Sequence, residues 1–436
     1  MNKKLVTLDI LPYHSQLHGG PWSCDGLWHN AASDQHEPFF YLCARNCLEQ
    51  AGFSLSVERF EQIDKSKPWF INLGVLLHNW DAHRSIFDIL PQDLLQELIS
   101  GKAYLIINNE NEYWTETILK PLYHQCQINP IVPIDKIFLL SGASMISEVN
   151  ERYVKDNNLP FKIKVLYSPH MNVLNLEGYL DFLLRPDKTV KSKRFNTLNR
   201  EWRLHRPAYV AMLAGLGLID HAHLSLGAQS DFIRQINQSE GWYHYLNRIF
   251  VEQKELYNRP KNCKVFDLIF NGIEQIHDKI PICLDVEEFD TNYAKWEYTP
   301  VDYMKDSYFH VCSSTFFFQW QEQSPGWHEK EWKPILIKQP HIIKGRPHML
   351  KLLRSFGFLT FGKWIDESYD GIEDDWDRLY AIAKETERLC NLYDNELDYI
   401  ILDMKNTLDY NYEVLVNKKW DLFFYGGDLK NLVSYL

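Results

Sequence analysis

The chain has 436 residues, with 45% hydrophobic and 24% charged side chains and a formal net charge of -12. That length exceeds what one hydrophobic core usually organises and points to two α/β domains. The acidity excludes a general nucleic-acid coat, because neutralising phosphates needs a basic face, but it leaves room for a local basic cluster around a small phosphate ligand.

The opening MNKKLVTLDILPYHSQ reaches Pro12 before a signal-type apolar run develops, and no later stretch is long enough to span a bilayer. A cytoplasmic protein without a transmembrane segment is therefore expected. The first hundred residues are rich in aromatics and turn formers, give no clean period, and read as irregular strands and loops. From residue 91 the pattern sharpens. PQDLLQELISG reads as a short helix ended by Gly101, and KAYLIIN (102–108) as a strand. IDKIFLLSG (134–142) reads as a buried strand, SEVNERYVKDNN as a helix and FKIKVLYS (161–168) as the next strand. Strand, helix, strand at this spacing predicts a parallel sheet with right-handed crossovers.

Apolar content drops and charge rises over RPDKTVKSK (185–193), which predicts a linker. Beyond it the rhythm restarts with RFNTL as a strand, a helix from about Leu204 to Leu216, and IDHAHLSLG as another strand. KIPICLDV (279–286) and SYFHVCSST (307–315) read as strands, EKEWKPILI as a helix, and PHIIKG as a strand ending at Gly345. The tail from Trp376 is predicted mostly helical, with amphipathic spacing in DRLYAIAKETERLCNLY and LDYIILDMKNTL. The expected domains are 1–186, 187–390 and a helical tail over 391–436. The eight cysteines form no CxxC pair or zinc-like quartet and read as reduced thiols.

The densest chemical signal is KSKRFNTLNREWRLHR (191–206), a strand running into a helix start crowded with donors. Asn199, Arg200, Arg203, His205 and Arg206 fall near the carboxyl end of a parallel strand, where open α/β sheets bind ligands. Guanidinium groups match a diphosphate or a sugar carboxylate in two-pronged fashion. The bland alternative is a solvated basic face. In WHEKEWKPILIKQPHIIKG (327–345), Glu329, Lys330 and Lys333 precede an apolar helix and a short strand. A carboxylate there suits ribose hydroxyls and a lysine suits phosphate charge, while helix capping explains the same residues without a ligand. Asp375 and Asp377 have the Asp-x-Asp spacing of a metal-dependent transferase, but they read better as acids in a first helical turn. No GxxxxGK[ST] loop, GxSxG elbow or HExxH helix is present.

EKEWKPILIKQPHIIKGRPHMLKLLRSFGFLTFGKWIDESYD (329–370) resembles the EKxxKP-type signature of a family of bacterial and phage proteins regarded as glycosyltransferases. FNTLNREWRLHRPAYVAMLAGLGLIDHAHLS resembles that family's other block. The order of the blocks is also similar to that of α-1,3-fucosyltransferases, although His328 stands where those enzymes carry a hydroxyl residue. The resemblance spans roughly residues 90–390 and implies two Rossmann-like domains facing a cleft, the GT-B arrangement. It also implies a nucleotide-sugar donor, no essential metal or other cofactor, and a glycan or lipid-linked glycan as acceptor. By it Glu329 and Lys330 match the pair that contacts donor ribose and phosphate, and Arg200 or Arg203 the basic contact to the diphosphate. A general base is then required, and Glu110 and Glu112 in IINNENEYW, beside Tyr113 and Trp114, are the local candidates. His14, His18 and His29 are weaker ones. Two other readings stay open: a non-catalytic glycan- or nucleotide-binding protein of the same fold, and a transferase acting on modified DNA bases, which the acidity disfavours.

Overall fold

The structure is a computed structural model. It describes residues 3–10, 53–57, 69–74, 92–109, 116–167, 190–199, 201–227, 230–284, 301–318 and 329–426, with single positions between 63 and 90. The chain forms two compact units. One comprises Met1–Leu174, Glu322–Trp327 and Asn417–Leu436, and the other Asn175–Gln321 and His328–Val416.

The first unit is built on strands β1 (Lys3–Ile10), β2 (Phe53–Val57), β3 (Trp69–Gly74), β4 (Ala103–Asn109), β5 (Ile137–Ser141) and β6 (Lys164–Tyr167). They form one sheet in the order β2-β1-β3-β4-β5-β6, with every pairing parallel. Helices α1 (Gln92–Ile99), α2 (Glu116–Ile128) and α3 (Ile146–Asp156) belong to the crossovers. A parallel sheet is covered on both faces, which is why β5 is buried at all five positions and reads as a continuous apolar run. A closed ring of hydrogen bonds ties α2 to α3 and the start of β6. Tyr123 Oη donates to Asn150 Oδ1 (2.8 Å), Asn150 Nδ2 to the Ile163 carbonyl (3.0 Å), and the Ile163 amide back to Tyr123 Oη (3.1 Å). Where the sequence predicts only irregular structure before residue 91, β1, β2 and β3 are regular parallel strands. Their surroundings of aromatics and turn formers, without a recognisable helix between them, hide the period.

The second unit carries β7 (Lys193–Asn199), β8 (Ala222–Leu226), β9 (Ser307–Ser313) and β10 (His341–Lys344), parallel in the order β10-β9-β7-β8. Around them lie α4 (His205–Gly215), α5 (Ser230–Ser239), α6 (Gly241–Leu256), α7 (Lys264–Ile276), α8 (Val301–Lys305), α9 (Glu329–Leu336), α10 (Met349–Ser355), α11 (Asp375–Cys390) and α12 (Asp394–Gly426). The helix α12 belongs to this unit through Val416, where a separate tail from residue 391 is expected from sequence. The described part of the segment expected as a strand, 279–284, is no sheet strand. Ile282 makes one antiparallel bridge to Leu226, with both amide–carbonyl bonds at 2.9 Å. No helix among the described residues is long and apolar enough to cross a membrane.

The helix α4 is buried at every position from His205 to Ala214, as expected of a helix enclosed on all sides. It meets α7 backbone to backbone: a Cβ on Gly272 would lie 1.7 Å from the Ala211 carbonyl oxygen, and one on Gly215 2.6 Å from that of Leu268. Small residues at both contacts let the helices touch. Gly272→Ala therefore forces them apart and is expected to lower stability by about 3 kcal/mol, read as a fall in thermal midpoint.

Polar side chains run through this sheet and pair with each other. Asn196 Nδ2 donates to Ser307 Oγ (2.6 Å) and to Gln339 Oε1 (3.3 Å), and its Oδ1 meets His310 Nδ1. Burial pushes His310 down to about 3, with His341, Lys333 and Lys344 adding to it, and burial pushes His341 down to about 4. Histidines that bind a proton less well folded than unfolded contribute stability that is complete above their ordinary 6.5 and is lost as pH falls through those lowered values. Stability, read as the thermal midpoint, should fall as the pH is lowered from 6.5 towards 4. The fall should be shallower in His310→Gln, and an unaltered slope would place the acid lability elsewhere.

Candidate functional site

From β7 the chain passes through α4 to β8 on one side, and later arrives at β9 on the other side of β7 before adding β10. The sheet order thus reverses between β7 and β9. Their carboxyl ends are the place where an open parallel sheet leaves a crevice for a ligand. The first unit reverses between β1 and β3, and the residues that follow both strands lie outside the described ones.

At the second unit's reversal the last residues of three strands meet. Ser313 Oγ donates to Asn199 Oδ1 at 2.5 Å, and Lys344 Nζ reaches the same oxygen at 3.3 Å. Next to them Ser314 joins the two blocks singled out in the sequence. Its carbonyl is 3.2 Å from His205 Nε2 and accepts from Arg206 Nη2 at 3.5 Å, while its hydroxyl donates to the carboxylate of Glu331 on α9. Glu331 also lies 3.9 Å from Cys312 Sγ. Gly345 follows β10 so closely that a Cβ there would come within 2.8 Å of Ser314 Oγ.

Basic side chains gather here. Lys344 is fully buried, with its ammonium position 3.9 Å from the centre of the Tyr209 ring. Burial, and then the nearby Arg206, hold its amine well below the usual lysine range. His205 is held well below its ordinary value by burial, then by Arg206, Lys344 and Arg203, so it is a neutral imidazole, stacked on Phe317 at 5.1 Å.

The predicted residues therefore divide. Asn199, His205 and Arg206 are buried and bonded to the chain's own groups, including Arg206 Nη1 to the Glu201 carbonyl at 2.8 Å, rather than displayed to solvent. They shape the crevice floor. Arg203 is different. Its side chain is 41% exposed, its one ion pair is a 3.6 Å contact with Glu201, and its Nε is enclosed without a hydrogen-bond acceptor among the described residues. Lys330 and Lys333 are half-buried on α9, and Glu329 opens that helix with its side chain outside the described set. Arg200, Glu110 and Glu112 lie outside the described residues, as do Tyr113, Trp114, His14, His18, His29 and His328. Asp375 and Asp377 sit in the first turn of α11, capped by Asp374, whose carboxylate accepts from the Trp376 and Asp377 amides. Asp375 is bonded to Arg378 and Tyr257, and Asp377 to Arg259.

Sequence reasoning missed Glu331, Lys344 and Arg378. The last spends all five of its N–H donors on the loops around the crevice. Nε donates to the Gly345 carbonyl (3.0 Å), Nη1 to those of Ile372 (2.9 Å) and Glu373 (3.1 Å), and Nη2 to that of Phe317 (2.8 Å) and to Asp375 Oδ1 (2.7 Å). A signal was present, since a cation in a helix's first turn opposes the macrodipole and calls for another reason to be there.

No family model and no curated protein matches the chain. Among solved structures it is similar to the S. aureus MnaA-UDP co-structure, with 13% identity over 97% of each chain and a TM-score of 0.29. A likeness of that degree carries no argument about this chain, and the site stands on its own geometry.

Arg378→Met should cost about 3–5 kcal/mol, since it strands the Asp375 carboxylate and four backbone carbonyls in the interior. Arg378→Lys should recover only part of this, because an ammonium has three donors and no planar fork. Chemical denaturation of the three proteins checks the order.

Proposed function

We propose that the second unit binds the diphosphate of a nucleotide-activated sugar and that the protein transfers the sugar to a hydroxyl acceptor, a glycan or lipid-linked glycan. One observation carries the reading: the arginine-rich block after β7 and the acid-lysine helix α9 meet at Ser314, at the sheet reversal, within an acidic chain. The resemblance of both blocks to bacterial and phage glycosyltransferases supports the same chemistry.

In this reading Arg203, with Arg200, takes the diphosphate, and Lys330 and Lys333 add positive charge as the nucleotide leaves. Charge fixed beside a leaving phosphate stabilises the transition state without reorganising at the moment of reaction, the role a metal plays elsewhere. Glu329 orients the ribose. Glu110 or Glu112 takes the proton from the acceptor hydroxyl, and a GT-B pairing of the two units belongs to the same proposal. His205 stays neutral, and the Glu331 side chain accepts from Ser314 Oγ, holding Ser314 in place.

Nucleoside diphosphates should raise the thermal midpoint, in EDTA as well as without it. The gain should be about 2.7 kcal/mol at a hundredfold excess over the dissociation constant. Arg203→Ala, an exposed change that spares the core, should weaken binding about tenfold, or 1.4 kcal/mol. Binding by the folded variant equal to the parent's would remove Arg203 from the site.

A further inference from the structure

The loop after β7 carries a second feature that the diphosphate reading does not use. Trp202 stands three residues beyond the end of β7 and packs into a cluster with side chains of α5 and α6. Its ring centre lies 4.9 Å from that of Trp242, 5.6 Å from Phe232 and 6.0 Å from Tyr245. Phe232 and Tyr245 also meet edge to face at 5.7 Å.

One property separates this cluster from an ordinary satellite core. Trp202, Phe232 and Tyr245 keep part of their surface open to solvent, although aromatic faces of this size bury readily. Trp242, 5% exposed, lies enclosed behind them. The cluster therefore leaves part of its aromatic surface, that of Trp202 included, within reach of a ligand.

Its position selects the ligand. Trp202 adjoins Arg203, whose enclosed Nε lacks an acceptor, and consecutive Cα atoms are about 3.8 Å apart. A molecule with its diphosphate on Arg203 has whatever it carries one ribose away within reach of Trp202. A nucleobase is flat and has a π-face for stacking. A second sugar ring offers no aromatic face.

We propose that Trp202, with Phe232, Trp242 and Tyr245 behind it, is the platform for the nucleobase of the ligand. This rests on the diphosphate reading above and adds to it where the base sits.

Calorimetry with pyrophosphate, UDP, GDP and ADP tests it. At least one nucleotide should bind the parent protein about tenfold or more tightly than pyrophosphate, in line with a stacked base. In Trp202→Leu that nucleotide should bind no better than pyrophosphate. Should the substitution disturb folding, photolabelling of the parent with an azido analogue of the preferred nucleotide gives an independent answer. The labelled peptide should contain Trp202, Trp242 or Tyr245. Labelling confined to other peptides, or a nucleotide advantage that survives in folded Trp202→Leu, overturns the proposal. Nucleotides and pyrophosphate binding the parent equally would overturn it while sparing the diphosphate site. If none of the four probes binds, both readings fall.

Discussion

The guanidinium of Arg378 is the interaction on which the second unit's carboxyl-end surface depends. One planar group holds the loop after β9 through Phe317, the loop after β10 through Gly345, and the entry to α11 through Ile372, Glu373 and Asp375. Its face lies 4.5 Å over the Phe317 ring, so the same side chain also fixes the aromatic against which His205 stacks. The counter-ion is fixed in turn, since Asp375 accepts from Tyr257 Oη at 2.9 Å. A buried ion pair of this kind adds little net stability over a hydrophobic replacement. What it supplies is geometry: three segments far apart in sequence acquire one set of positions.

The sheet beneath follows the same logic. Strands enclosed on both faces usually carry aliphatic residues, yet β7, β9 and β10 enclose Asn196, Thr197, Asn199, His310, Ser313, His341 and Lys344. Each such group is costly unless bonded, and a bonded network admits few alternative arrangements. The pairing of Asn196 with His310 and of Asn199 with Ser313 aligns β7 with β9, the two strands between which the sheet reverses. Register is thus pinned by side chains at the place where a ligand-binding crevice needs it.

This also explains what could be read from the chain alone. In the first unit β4, β5, β6, α1 and α3 were legible because apolar strands alternate with amphipathic helices, and β9 and β10 for their apolar runs, whereas α2 was not singled out. The first three strands were not, since KKLVTLDI, FSLSV and WFINLG are set among aromatics and turn formers. KIPICLDV looks like a buried strand, but its first residues are spent on the turn after α7, and among its described residues only Ile282 pairs, at the edge of β8. At the site, the two blocks were visible as clusters of charge, and their meeting is real. Which members face inward was not visible, because Arg203 and Arg206 look alike in a string of letters. Arg206 sits in the first turn of a helix that is buried all round, whereas Arg203 precedes it. The same limit hid Glu331, which follows the pair that the resemblance points to and is the carboxylate that reaches Ser314.

That division of labour between arginines bears on how an acidic chain can hold an anion. Arg206 is enclosed, so little water screens it, and its influence extends further than that of a surface charge. Burial, and then Arg206, hold His205 neutral beside it. In the proposed reading contact then falls to Arg203, whose side chain stays 41% exposed. The net charge of -12 repels polyanions more strongly than a small anion that one local guanidinium can meet.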